Sequence, residues 1–111
     1  MRKFNFERGD RKLFFKKIAS NLIRDERIET TTARAKEIRP IVERMVSMGK
    51  KQTLASFRNL LSKLPKKEAE KVYFEIAPRY KERKGGYLKI TKTGNFRKRD
   101  GVFKAIIEFV K

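Results

Sequence analysis

Apolar residues that recur with a helical period between residues 32 and 49 constrain the fold more than any other feature. In TARAKEIRPIVERMVSMG, one face of a 3.6-residue helix contains Ile38, Ile41, Val42, Met45 and Val46. Thr32 is placed to cap the start of this helix, and Gly49 to end it. Pro40 removes one helix hydrogen bond, so we expect a kink or a local break there. The sequence therefore predicts a long amphipathic helix that must bury one side.

Three shorter helices are predicted around it. The first runs from about residue 11 to 24, with Asp10 as its N-cap. Its apolar stripe contains Phe14, Phe15, Ile18, Ala19 and Leu22. The other two span about 52–63 and 66–77, and each is bounded by a proline, Pro65 or Pro78.

Three strands are predicted from different patterns. RIETT at residues 27–31 alternates and is rich in β-branched side chains, YLKITKT at 87–93 alternates, and FKAIIEFVK at 103–111 is densely apolar. The basic loop GNFRKRDG joins the last two strands. The pattern predicts an α+β fold, in which a small three-stranded mixed sheet packs against about four helices in the order α-β-α-α-α-β-β.

The size and composition suit one domain. Of the 111 residues, 39% are hydrophobic, which is enough for one core. We expect a single domain over residues 1–111, with residues 1–9 forming a short basic N-terminal arm.

Charge indicates the partner. Lys and Arg number 31 and Asp and Glu 13, which leaves a formal net charge of +18 and favours a polyanionic partner. The excess is concentrated in residues 1–24, net +6, and in residues 79–99, net +8. If the fold brings these segments together, they form one anion-binding face.

The composition also excludes several kinds of site. The sequence has no Cys and no His, so disulfides, thiolate or imidazole metal sites and Ser-His or Cys-His catalysis are excluded. The acidic pairs Glu26 with Glu29 and Glu68 with Glu70 are the remaining candidates for acid–base or Mg²⁺ chemistry, but nothing local makes them converge, and local ion pairing is favoured. We expect no enzyme activity, no cofactor and no metal.

Membrane association is an alternative for the first helix, because it is basic and amphipathic. Core packing of its apolar stripe is favoured, since a domain of this size needs those side chains inside. No apolar run reaches the roughly 20 residues of a membrane span. We expect a soluble cytoplasmic protein with no membrane partner and no small-molecule substrate.

The stretch RYKERKGGYLKI, residues 79–90, is the most specific candidate for anion binding. Gly85 and Gly86 let the backbone approach a bulky anion. Four basic side chains flank this pair and are expected to bind phosphates: Arg79, Arg83, Lys84 and Lys89. Tyr87 is expected to pack on a sugar or base.

Three stretches make a family resemblance specific: LIRDERIETTTARAKEIRPIVERMVSMGK, FEIAPRYKERKGGYLKI and IIEFV. They contain the ordered series Thr30-Thr31, Ala35-Lys36-Glu37, Pro78-Arg79-Tyr80, Arg83, Gly85-Gly86-Tyr87 and Ile107-Glu108, and Asp100 lies between the last two stretches. The chain thereby closely resembles bacterial-type large-subunit ribosomal protein number seventeen over nearly its whole length. The resemblance implies an α+β protein that binds large-subunit ribosomal RNA near the polypeptide exit region, beside other large-subunit proteins in the cytoplasmic ribosome.

The sequence departs from that family at three places. The family usually opens with a longer basic arm and a His-Arg pair, where this chain has MRKFNFERGD and then Arg11. Its usual His-Glu before the first strand is Asp25-Glu26 here, and the glycine of its Gly-Asp loop is Arg99, which becomes an added candidate contact.

The candidate RNA-binding residues come from both basic segments and from the long helix. They are Arg2, Lys3, Arg11, Lys12, Lys16, Lys17, Arg34, Lys36, Arg39, Arg79, Arg83, Lys84, Gly85, Gly86, Tyr87, Lys89, Arg97, Lys98 and Arg99. The leading interpretation is a structural RNA-binding protein of the ribosome. A DNA-binding or nucleoid-associated protein is the alternative, although it would be expected to present a groove-reading helix or ribbon. An enzyme acting on nucleic acid is a third, which the lack of His and Cys disfavours.

Overall fold

The computed structural model describes the backbone of residues 8–96 and 103–110, and the side chains of 13–94 and 103–110. The predicted element order is confirmed. The elements are α1 (Arg8–Asp25), β1 (Arg27–Thr31), α2 (Thr32–Lys50), α3 (Leu54–Lys63), α4 (Lys66–Lys71), a π-helical segment (Val72–Ile76), α5 (Ala77–Arg79), β2 (Leu88–Phe96) and β3 (Phe103–Phe109).

The sheet has the strand order β1-β3-β2, and both pairings are antiparallel. The expectation of a mixed sheet was therefore wrong. β2 and β3 pair as sequence neighbours, and β1 adds antiparallel to the other edge of β3, so no parallel crossover is needed. One face, carrying Ala105, Ile107 and Phe109, is buried under the helices, while Glu108 lies on the opposite face.

Helix α1 begins earlier than predicted. Because its first residue is Arg8, Asp10 lies inside the helix and is not its N-cap. Arg8 and Gly9 were expected in the basic arm but belong to α1. The buried side of α1 contains Phe15, Ala19, Leu22 and Ile23, and Phe14 and Ile18 pack partly against the core. The predicted core-packing role of α1 is thus confirmed.

Helix α2 is capped by Thr31, one residue before the predicted cap. The Thr31 side chain accepts a hydrogen bond from the Arg34 N–H at 3.2 Å. The helix continues through Pro40 to Lys50 without a break. Pro40 is exposed, and the buried residues before and after it hold both halves of the helix against one core.

Gly49 packs between helices and does not end α2. A Cβ built on Gly49 would lie 3.1 Å from the Ala77 Cβ and 3.2 Å from the Val72 Cγ1. The lack of a side chain therefore lets α2 approach the π-helical segment and α5 closely. The left-handed residue after α2 is Gln52, at φ 53°, and its side-chain amide donates to the carbonyls of Gly49 and Tyr73.

The last helical region changes its hydrogen-bond pattern near Pro78. The Ala77 N–H bonds the carbonyl of Val72, five residues earlier, as in a π-helix. Pro78 has no N–H to offer the preceding turn. The predicted helix over 66–77 is therefore three short consecutive pieces, and Pro78 lies within the last one.

Candidate nucleic-acid interface

Of the described basic residues in the segment 79–99, four precede β2 and two, Lys89 and Lys92, lie on it. The segment that includes Gly85 and Gly86, residues 81–86, precedes β2 and is called the Gly-Gly turn below. The far end of β2 pairs with the start of β3, about 30 Å away for a strand of nine residues. An extended strand therefore separates the Gly-Gly turn from the far end of the sheet. The expectation that residues 1–24 and 79–99 together form one anion-binding face stays a prediction, because residues 97–99 and the side chains of residues 1–12 lie outside the described part of the chain.

The Gly-Gly turn is fastened to the C-terminal end of α2. Lys50 Nζ donates to the carbonyl of Arg83 and, at 2.9 Å, to the Tyr87 hydroxyl. The Arg83 N–H bonds the carbonyl of Tyr80 at 2.9 Å, and the Arg83 Nε bonds the carbonyl of Gly85 at 3.2 Å. These bonds hold a cationic turn in a defined shape before any ligand arrives. Lys50 was missed at the sequence level, because the contact joins positions 33 residues apart.

Gly85 and Gly86 are exposed and face open space. A Cβ added at either glycine would meet nothing within 4 Å, and only Gly86 of the two has a left-handed φ, of 65°. Arg83 and Lys84, beside them, are exposed. The backbone and the cations of this turn are accessible to a large anion, as the predicted role requires.

Tyr87 is not available for stacking. Its side chain is buried, with 1% exposure, and its ring lies 5.3 Å from that of Tyr80. Burial raises the pKa of the Tyr87 phenol, but hydrogen bonds with Lys50 and Ser47 outweigh that effect, so the pKa lies below its ordinary value. The expectation that Tyr87 packs on a sugar or base was wrong. The ring helps to fill the core, and its hydroxyl holds Lys50 at the turn.

Arg79 is engaged within the protein. Its guanidinium forms an ion pair with Glu26, and Lys71 Nζ lies 3.2 Å from the other Glu26 oxygen. The hydrogen bond from Arg79 lowers the pKa of Glu26, burial partly opposes it, and Lys71 lowers it further. The same bond raises the pKa of Arg79 above its ordinary value. Glu26 forms ion pairs, as predicted, but its partners are distant in sequence and not local, and Arg79 has a structural partner.

Lys89 lies on the outer face of the sheet in a cross-strand ion pair. Its Nζ is 3.4 Å from Glu108, which is also 3.7 Å from Arg27 Nε on β1. Lys104 Nζ is 3.6 Å from Glu29 on the same face. These pairs partly compensate the charge of the outer face, which therefore attracts an anion less strongly than the Gly-Gly turn does.

The helical candidates divide into paired and unpaired cations. Arg39 lies 3.5 Å from Glu43, and the Arg34 guanidinium lies 4.9 Å from the centre of the Phe14 ring. The salt bridges among the described side chains do not include Lys16, Lys17 or Lys36, all of which are exposed. These three lysines remain available to a polyanion.

Several predicted site residues lie outside the described part of the chain. Arg2, Lys3, Arg97, Lys98 and Arg99 are outside the described residues, and so are the side chains of Arg11 and Lys12.

A pocket at the far end of the sheet was not predicted. It has a volume of about 290 Å³ and is lined by Thr32, Lys92, Gly94, Phe103 and Lys104. It is called the hairpin-end pocket below. The available sequence signal was a phenylalanine at the edge of a basic loop.

The described residues contain no group of three acidic side chains that could hold a metal ion. In the same part of the chain, no helix is both long and apolar enough to cross a membrane.

Comparison with known proteins connects this basic α+β domain to one family. The model of the family described as Ribosomal protein L17 matches residues 14–110. The chain belongs to the ribosomal protein L17 family. The resemblance seen in the sequence is thereby confirmed.

Proteins named large ribosomal subunit protein bL17 are similar over nearly the whole chain. The protein of Fusobacterium nucleatum is 49% identical over 98% of this chain and 94% of its own length. The protein of Thermodesulfovibrio yellowstonii is 46% identical over 98% of this chain and 82% of its own length. That of Staphylococcus epidermidis is 43% identical over 98% of both chains.

Proposed function

We propose that this protein is a structural constituent of the large ribosomal subunit, where it binds and stabilises ribosomal RNA by contacting phosphates. It acts in the cytoplasm as part of the ribosome, without a cofactor or a reaction of its own. Family membership and the names of the relatives support the assignment to the large subunit.

The observation that carries the RNA-binding proposal is the surplus of uncompensated cations. The net charge is +18, so many basic side chains lack an acidic partner in any fold. Among the described side chains, Arg83 and Lys84 in the Gly-Gly turn, Lys16 and Lys17 on α1 and Lys36 on α2 are exposed. Phosphates are the polyanionic groups that such a distributed set of cations recognises without base contacts.

The position near the polypeptide exit region, beside other large-subunit proteins, belongs to the same proposal. An apolar surface away from the sheet supports protein neighbours: Leu54 is 64% and Phe74 63% exposed. Phe57 packs beside Phe74 with ring centres 5.8 Å apart. Exposed aromatic surface of this kind is typical of contacts with other proteins.

Sedimentation of a cell lysate through a sucrose gradient tests the proposal. The protein should migrate with large subunits after a high-salt wash, because many simultaneous phosphate contacts dissociate slowly when the RNA is folded around them. A pool found wholly with the nucleoid would contradict the proposal and support the DNA-binding alternative.

A further inference from the structure

We propose that the hairpin-end pocket binds one unpaired nucleotide of RNA, with the base stacked on Phe103 and a phosphate held by Lys92. This inference rests on the proposed RNA-binding function and names a site within it. It also replaces the stacking role first expected of Tyr87.

Phe103 is an exposed aromatic ring on the face of the sheet that is otherwise buried. It precedes Ala105, Ile107 and Phe109 at alternate positions of β3, and these three are buried under the helices. Phe103 itself is 63% exposed, because the helical layer ends at the start of α2. The Thr32 hydroxyl donates to the Phe103 carbonyl at 3.3 Å and so fixes the backbone that carries the ring.

Lys92 provides the charge on the same face. It pairs with Ala105 across the β2–β3 ladder, so its side chain leaves the sheet on the side to which Phe103 belongs. Lys92 is exposed and forms no salt bridge within the described side chains. Lys104, the residue after Phe103, also lines the pocket, but its ammonium forms an ion pair with Glu29.

The backbone of β2 opens the pocket. The register between β2 and β3 shifts between Lys92 and Phe96, and Gly94 within that shift has φ 80°. A Cβ built on Gly94 would have nothing within 4 Å. A bulge and a glycine here let another backbone approach closely. The resulting volume of about 290 Å³ is at the small end for a ligand pocket and suits a single base.

Stacking on an aromatic side chain requires a base with a free face, which a base inside a continuous duplex does not present. An unpaired nucleotide is therefore the ligand that combines a planar aromatic group with a phosphate.

The chain has no tryptophan, so a single introduced tryptophan reports on one position. In F103W, the tryptophan fluorescence should be quenched by short single-stranded oligoadenylate. An RNA duplex should quench it much less. The matched control is F74W, because Phe74 is also 63% exposed but lies on the π-helical segment. Quenching in F103W and not in F74W supports the site, whereas equal quenching in both variants contradicts it.

Affinity measurements separate the ring from the charge. F103L keeps an apolar side chain without a π-face, and oligoadenylate affinity should fall about 5- to 150-fold, the loss expected for one stacked base. F103Y should bind nearly as the wild type does. K92A should lower the salt slope by about 0.7, while K66A, at an exposed lysine on α4, should change affinity for the same oligonucleotide much less.

A gel mobility-shift assay with large-subunit ribosomal RNA tests the proposed function separately from the pocket. Normal binding of that RNA by F103L, together with unquenched F103W emission when oligoadenylate is bound, would overturn the pocket assignment alone. Failure of the wild-type protein to bind either RNA would overturn both.

Discussion

Glu26 combines a left-handed backbone with two cationic partners. Its φ is 62°, and its carboxylate contacts both Arg79 and Lys71. This residue follows α1, starts the turn into β1 and ties both to the other helices. Its carbonyl also accepts the Phe109 N–H at 3.1 Å. One residue thus links parts of the chain that are distant in sequence.

We expect E26Q to destabilise the fold by up to about 1 kcal/mol at neutral pH, since the ion pair is partly exposed and screened. The pKa of Glu26 is depressed below its ordinary 4.5 by the Arg79 hydrogen bond, although burial opposes this. The stabilisation is therefore complete above the unfolded pKa and is lost as the pH falls through the lower folded pKa. Thermal unfolding at pH 7 and at about pH 3 should show a difference from wild type mainly at the higher pH.

The control is E75Q, at an exposed glutamate for which the structure shows no ion pair within the described residues. It should match the wild type at both pH values, and E26Q should leave RNA affinity intact. A stability loss in E26Q that persists in acid would show that the carboxylate charge is not the cause.

The roles of Gly85 and Gly86 can be distinguished by experiment, because their backbone φ angles differ. Only Gly86 has a positive φ, so G86A should cost about 1 kcal/mol, whereas G85A should leave the thermal midpoint nearly unchanged. G85V adds bulk to an open surface without changing charge. If the turn lies close against RNA, G85V should weaken binding roughly tenfold with an unchanged salt slope, as for loss of one charge-assisted hydrogen bond.

Arg83→Ala combined with Lys84→Ala is the comparison for that experiment. This variant should weaken binding and lower the salt slope, with little change in the thermal midpoint, because both side chains are exposed. If G85V is folded and binds RNA normally, the turn is only a connector.

The contact between α2 and the π-helical region depends on Gly49. A Cβ at this position would lie only 3.1 Å from the Ala77 Cβ and 3.2 Å from the Val72 Cγ1, so a larger residue forces the helices apart. We expect G49V to destabilise the protein by about 1–3 kcal/mol in urea unfolding, the usual cost of overpacking. A55V, at an exposed site on α3, is the control and should have a much smaller effect. Equal effects would assign the loss to the β-branched side chain itself.

The type and order of the helices and strands followed from periodicity, but the ends of α1 and α2 did not. β1 was predicted with its observed bounds because alternation and β-branching coincide in five residues. Asp10 and Gly49 were misassigned because residues that suit a cap also fit inside a helix when the neighbouring chain requires it. The π-helical segment was not predictable, because it arises from the chain packing against α2 as well as from Pro78.

The separation of the cationic surfaces affects how the whole molecule binds RNA. The Gly-Gly turn and the hairpin-end pocket are at opposite ends of β2, so one compact phosphate group cannot engage both. A folded RNA that spans about 30 Å can contact both the turn and the pocket. Under the proposed function, we therefore expect this small domain to bridge two RNA segments, as suits a structural protein of an assembly.

We expect RNA binding to depend strongly on salt. If six to eight cations meet phosphates, affinity should fall by about two to five decades between ~50 and ~200 mM salt. Filter binding with large-subunit ribosomal RNA over that range measures the slope. A nearly flat dependence would contradict a mechanism dominated by phosphate contacts.

The chain's own residues were sufficient to predict an α+β domain and the cations of the Gly-Gly turn, which the structure shows exposed, and their charge favours a polyanionic partner. Periodicity is a property of a short stretch of sequence and charge a property of each side chain, so neither depends on the tertiary contacts of the fold. Three features instead depended on packing: burial of Tyr87, exposure of Phe103 and the pairing of Arg79 with Glu26. That last contact joins residues 53 positions apart. Such distances through space are set by the packing of the helices on the sheet, and no local pattern contains them.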